Sequence, residues 1–426
     1  MPAKFPSRHG VTINDGSSSY VSRVGPFPNP TERLISAFQS GHGWSASGTG
    51  SQSDDTSTYT IGSQALRITP SSDTTDQTST KTLSQPLDLS GSYLRMQFLL
   101  GGVISTLKIR VSSGNIATDY AEATVWSSSL RTWLASGQWE HCWVPRSEFT
   151  VTGSVNWSGI TSIQFRAAAT GSGTVNCLVN RLSYIPDGPS GCVVFAFDDG
   201  IKSVWDYAKP KLSEYGWPGT AFIIADMIDT GTNLDSRGAM STAQLQELQY
   251  RWGWEIGSHA YYLANHNAGS GFTSVSVSDT ERDFYLMREW LDRRGLTGGE
   301  HFAWPLGAYG TGQTYMDIAR KYFATARSTK GSAGARSQER AHHSLDRHRI
   351  RAWSINGLTD STSDISTAIT QAGERREALI LVFHHLKTSA ASSTTDWTVA
   401  NFNTVVAAVA ASGLPVVTYG QAMAGY

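Results

Sequence analysis

The amino-acid sequence predicts a multidomain fold: a jelly-roll-like N-terminal β-sandwich over residues 31–185, then an irregular (β/α) barrel of seven or eight strands over 191–426. Three observations predict it. Residues 34–184 are rich in Ser, Thr and Gly, with short runs that alternate apolar and polar residues and almost no helical periodicity. Pro186-Asp-Gly-Pro-Ser190 has the composition of a linker. After it, short apolar strands alternate with amphipathic helices, the order that builds a parallel sheet.

Residues 1–30 are polar, close on Pro26, Pro28 and Pro30, and read as an arm or linker. The sandwich strands are Ala65–Thr69, Leu94–Leu100, Leu107–Val111 and Ile163–Ala167 among others. Phe38 through Gly48, with Gly41-His-Gly-Trp-Ser45, resembles the opening of carbohydrate-binding-like sandwich modules. Trp126, Trp133, Trp139, Trp143 and Trp157 are candidates for a sugar platform, or alternatively pack between strands. The barrel strands are Val193–Phe197, Thr220–Ile224, Glu255–Ser258, His301–Trp304, Ala324–Ser328, Ile350–Ile355, Leu379–Phe383 and Pro415–Thr418. Ser241-Thr-Ala-Gln244 and Ser278-Asp-Thr-Glu281 are capping boxes opening two of the helices.

Charged residues make up 16% of the chain and the net charge is -1, which removes any electrostatic case for nucleic acid or an anionic membrane. Cys142, Cys177 and Cys192 lack zinc-site spacing and form no disulfide framework; buried thiols are expected, with a Cys142–Cys177 bridge the alternative. The first ten residues lack the apolar region of a secretory signal, and no run approaches the roughly eighteen apolar residues of a membrane helix. A soluble protein is expected. Work outside a cell or on a virion would be reached without an N-terminal signal in this sequence.

The chemistry collects at strand ends. Val193–Phe197 ends in Asp198-Asp199-Gly200, Glu255–Ser258 in His259, and Leu379–Phe383 in His384 and His385. An isolated Asp-Asp-Gly would more simply be a turn. Three strands that end on one rim in groups able to bind a metal or move protons point instead to a site.

Residues 191–426 resemble the polysaccharide deacetylases, the NodB-homology group or carbohydrate esterase family 4. Phe197-Asp-Asp-Gly200, Glu255-Ile-Gly-Ser-His259, Phe302-Ala-Trp-Pro-Leu-Gly307 and Leu381-Val-Phe-His384 carry the likeness, the third in the form seen among deacetylases of β-1,6-linked glucosamine polymers. The resemblance implies one divalent metal, zinc first and cobalt or nickel next, held by Asp199, His259 and a second histidine. It implies Asp198 as the base, His384 as the acid and the backbone N–H of Leu306 as an oxyanion donor. Trp304 and Tyr309 are the candidates for sugar stacking.

Two departures follow. The family's second histidine stands four residues after the first, where this chain has Leu263; the next histidine is His266. Seven residues of helix span about 10 Å at 1.5 Å per residue, too far for one ion, so a loop or bulge over Tyr261–Asn265 is expected to bring His266 in. Asn265 or Asn267 is the substitute. The third motif also has Ala303 where an arginine often pairs with the catalytic aspartate. His385 is expected to face away from His384, His301 to be structural, and His342, His343 and His348 to lie in a solvated polar loop rich in arginine.

The resemblance implies hydrolysis of N-acetyl groups on an N-acetylglucosamine-type polysaccharide, or of acetyl esters by the same machinery. The chain has no Gly-x-Ser-x-Gly elbow for a serine esterase. A binding protein that has lost activity, such as a phage tail component whose sandwich assembles with other chains, is the reading from another class. Oligomeric state is open.

Overall fold

The computed structural model describes residues 33–71, 76–127, 137, 139–170, 176–185, 191–310, 314–329, 347–375 and 377–424. The arm, the linker at 186–190, Trp133, His342 and His343 lie outside them. Two compact units divide the chain between Pro189 and Ser190.

The N-terminal unit holds two six-stranded antiparallel sheets. One runs Ser51–Asp55, Ala65–Thr69, Cys177–Ile185, Tyr93–Leu100, Trp139–Val144, with Arg33–Ser36 also paired to Cys177–Ile185. The other runs Thr150–Thr152, Tyr120–Ser127, Ile104–Ser112, Ile160–Ala169, Gln77–Leu87, Trp44–Ser47. Period-2 alternation makes this possible: Ile163, Phe165 and Ala167 are buried, while Gln164 and Arg166 between them are half-buried. The inward set, with Leu66, Ile68, Met96, Phe98, Ile109 and Val111, forms one apolar core. Trp157 belongs to that core and meets Phe149 edge-on at 5.4 Å, so it is no part of a sugar platform. Cys142 and Cys177 are buried free thiols, and burial pushes Cys177 up to about 12.

The C-terminal unit is built on a curled, seven-stranded parallel sheet. Its order is Thr325–Arg327, His301–Ala303, Glu255–Ala260, Thr220–Ile224, Cys192–Phe197, Ala378–Phe383, Trp353–Ser354. One parallel bridge, Arg327 with Ile350, lies between the segments at its two edges. The expected strand at Pro415–Thr418 makes only a bridge, Val416 with Val193. Pro415 has no N–H for a ladder, and Thr418 already caps the next helix by accepting from the Gln421 N–H at 3.2 Å.

Cys192–Phe197 is buried throughout, as its uninterrupted apolar run requires of a central parallel strand. Phe195 and Phe197 pack with Phe383 and Phe402 at centroid distances of 5.9–6.3 Å. Truncating either to alanine would cost about 3–5 kcal/mol. The capping box at Ser241 is formed in both directions. The helix expected from Ser278 begins earlier, at Val277, because Ser276 accepts the Asp279 N–H at 3.1 Å and acts as the cap.

Candidate metal centre and active site

Strand register brings the site together. Cys192–Phe197 pairs in parallel with Ala378–Phe383, Phe197 level with Phe383, so Asp198 and His384 leave the sheet side by side. The Asp198 N–H donates to the Phe383 carbonyl at 3.0 Å. Asp199 then takes φ 72° and Gly200 φ 82°, a left-handed pair that turns the chain sharply after the strand. Aspartate tolerates this conformation better than most side chains, and strain of this kind collects at functional sites. A Cβ at Gly200 would meet Ile228 at 3.0 Å and Ile223 at 3.2 Å.

On the next strand but one, the ladder to Thr220–Ile224 slips between Ser258 and Ala260. His259 is the extra residue of that irregularity, a device that re-aims a side chain. Its Nδ1–H donates to the Ala303 carbonyl at 2.7 Å, which turns Nε2 toward Asp199 Oδ1, 3.4 Å away.

The chain then makes a short loop and a single helical turn, Leu263–His266. His266 Nε2 lies 3.2 Å from the same Asp199 oxygen, and its Nδ1–H donates to Asn267 Oδ1 at 2.8 Å. Asn267, expected as a substitute ligand, instead orients the ring. Asn265 is turned elsewhere, its amide donating to Asp283 at 2.8 Å.

Asp199, His259 and His266 are buried and offer ligand atoms within 4.8 Å of one another, the one such group among the described residues. One carboxylate oxygen and two Nε2 atoms, each imidazole fixed in its tautomer by an acceptor at Nδ1, suit a divalent metal of borderline softness. Burial pushes the Asp199 carboxyl up, but its contacts with His259 and His266 outweigh this and hold it well below the usual carboxylate range. The anion is thus ready to ligate.

Asp198 is buried beside this group, and one of its oxygens, Oδ1, accepts from Nη2 of Arg327. Arg327 is fully buried, its guanidinium 4.4 Å over the Phe222 ring, with Nε and Nη1 lacking hydrogen-bond partners among the described residues. Its origin explains the missing arginine of the third motif. Arg327 pairs level with Ala303 on the adjacent strand, so a neighbour fills the position that Ala303 leaves empty. The sequence held a signal for it, a lone charge in an otherwise uncharged strand candidate.

His384 Nε2 faces the other Asp198 oxygen at 4.0 Å, and its Nδ1 is buried without a partner among the described residues. Burial lowers its pKa, against the raising effect of both aspartates. Leu306 stands at φ 56°, 60% exposed as a residue, with its N–H donating to no other described residue.

Trp304 is not available for sugar stacking. It is fully buried, packs on Phe302 at 5.0 Å, and gives its indole N–H to the His348 carbonyl. Tyr309 is half-buried, with Arg349 5.5 Å over its ring. His385 faces away from the site and bonds Asp396 at 2.9 Å. His348, expected in solvent, is buried and donates to the Phe323 carbonyl. His301 bonds Thr325 and approaches Glu255 at the opposite end of the strands.

Residues 186–325 match the family model of the polysaccharide deacetylases. The matched span includes Asp198, Asp199, His259, His266 and Leu306, and stops short of Arg327 and His384. A poly-β-1,6-N-acetyl-D-glucosamine N-deacetylase of Staphylococcus epidermidis is 29% identical over 121 residues, 28% of this chain. The aligned region spans 42% of that curated relative's length. Among solved structures, a family 4 carbohydrate esterase from Streptomyces lividans, in complex with acetate, is 17% identical, covering 53% of this chain and 91% of its own, TM-score 0.36. A family 11 carbohydrate-binding module from Clostridium thermocellum is 11% identical, covering 36% of this chain and 95% of its own, TM-score 0.30.

No helix among the described residues is long and apolar enough to cross a membrane.

Proposed function

We propose that this protein hydrolyses N-acetyl groups of an N-acetylglucosamine-type polysaccharide, with a divalent metal held by Asp199, His259 and His266. The observation that carries the reading is the meeting of two groups at one end of the sheet: a three-ligand cluster, and beside it an aspartate and a histidine that do not ligate. Bound there, zinc would supply Lewis acidity and lower the pKa of water.

The protein's own part is proton handling and positioning. Arg327 occupies Oδ1 of Asp198, which leaves Oδ2 to take a proton from the water that attacks the acetyl carbonyl. His384 Nε2, on the Oδ2 side, gives a proton to the amine nitrogen as the C–N bond breaks, so that acetate and a free amine leave. The Leu306 N–H, without a partner among the described residues, is the donor available to the developing oxyanion. Tyr309 remains the aromatic candidate for sugar contact.

The sandwich is read as a polysaccharide-binding or assembly module, and work on surface polysaccharide outside a cell suits the substrate class. The altered histidine spacing is the main support for an inactive binder, and the short loop that brings His266 to Asp199 weakens it.

The test is acetate release measured across acetylated chitin oligomers, β-1,6-linked glucosamine polymer, peptidoglycan and acetylxylan, with zinc content determined in parallel. Asp198→Asn should lower the rate by about 10²–10⁴-fold, the usual worth of a general base, and keep its zinc. Release confined to acetylxylan would make the protein an esterase. A protein that holds no stoichiometric metal and releases no acetate would overturn the reading.

A further inference from the structure

The insertion between His259 and His266 is held by two carboxylates that belong to neither strand nor loop. Asp283, on the helix Val277–Arg293, accepts from three donors: the Tyr261 N–H at 2.7 Å, the Tyr262 N–H at 3.1 Å and the Asn265 side-chain amide at 2.8 Å. Asp226, at the start of the helix Ala225–Thr230, takes the Leu263 N–H on both oxygens at 2.9 and 3.0 Å, and returns its own N–H to the Tyr261 carbonyl at 2.9 Å. Three consecutive backbone N–H groups, 261 to 263, thus end on side chains instead of a ladder or a helix. Immediately after them the single turn begins, its first carbonyl, that of Tyr262, accepting from the His266 N–H at 3.1 Å.

Asp283 is fully buried, yet no cation pairs with it among the described residues. It occupies the helix face that also carries Phe284, Met287 and Leu291, a position that packing alone would fill with an apolar side chain. A buried carboxylate without a counter-ion is costly unless its acceptor capacity is used, and here the loop's donors use it. Burial pushes its carboxyl up to about 6, against the lowering effect of its three donors.

We propose that Asp283 is the positioning residue for the third metal ligand: by collecting the donors of Tyr261, Tyr262 and Asn265 it shapes the insertion so that His266 reaches Asp199, and the protein's metal affinity depends on it. This rests on the metal-centre reading above. It explains how a seven-residue spacing that a continuous helix would spread over about 10 Å can serve a single ion. Asp226 anchors the same loop from the other side, while Asp283 alone holds both its beginning and its end.

The experiment is titration of the full-length apo-protein with zinc, and the visible spectrum of its cobalt(II) form, which reports the ligand set without any turnover. Asp283→Asn and Asp283→Ala should bind zinc about tenfold to a hundredfold more weakly than wild type, the usual effect of losing a group that orients a ligand. Their cobalt spectra should move toward that of His266→Ala. Asn265→Ala, which removes one donor and leaves the helix core untouched, should shift affinity in the same direction by less, and serves if the Asp283 variants do not fold. Wild-type affinity and spectrum in folded Asp283 variants, or in Asn265→Ala if these do not fold, would overturn the proposal. Wild-type protein that takes up neither zinc nor cobalt would instead overturn the metal centre itself.

Discussion

Each site residue acts through one neighbour that decides what its side chain can do. His259 and His266 present Nε2 because Ala303 and Asn267 take their Nδ1 protons. Asp198 presents Oδ2 because Arg327 takes Oδ1. This pair is fully buried, and removing one partner of a buried pair costs about 3–5 kcal/mol because the other charge is left uncompensated. Arg327→Met should therefore melt several degrees below wild type in calorimetry. It should also release acetate at least a hundredfold more slowly at unchanged zinc content, and Arg327→Lys should recover part of the rate. A wild-type rate in Arg327→Met would mean that Asp198 needs no fixed partner.

The strands place chemistry at one end and a second polar cluster at the other. Glu255, at the start of its strand, accepts from the Gly420 N–H at 2.6 Å and lies 3.7 Å from His301. Burial pushes its carboxyl up to about 7, the Gly420 N–H pulling down and the Glu300 charge pushing up. The folded protein thus keeps this proton to higher pH than the unfolded chain, whose glutamate titrates near 4.5. The stabilisation is complete below that value and is lost as pH rises through about 7. Glu255→Gln mimics the protonated form and keeps an acceptor for Gly420. Its melting temperature should gain on wild type between pH 5 and pH 8; a constant difference would place the titration in another group.

The molecule has two units, each with its own apolar core, and among the described residues only the C-terminal one carries a ligand cluster. A ligand that binds only the folded state stabilises by about 2.7 kcal/mol at a hundredfold excess over its dissociation constant. Calorimetry should resolve two transitions, with zinc raising one and a chelator lowering the same one. Metal sensitivity in both transitions would locate a second ion in the sandwich.

What the sequence alone determined is local. Val193–Phe197 is a buried strand because its side chains admit no solvated face, and the carboxylates after it stand where the chain leaves the sheet. The same reasoning places His259 and His384 at strand ends, and the alternation of Ile163 to Ala167 on two faces of a sandwich. Tertiary structure decided the rest, since it depended on which strands lie side by side. Arg327 reaches Asp198 only because its strand pairs level with Ala303, a register between segments 24 residues apart. Trp304 is a core residue because the Phe302–Phe323 cluster closes over it, which no count along the chain reveals. His266 is brought to the cluster by hydrogen bonds to carboxylates on two helices, and a spacing pattern cannot record a partner distant in the chain.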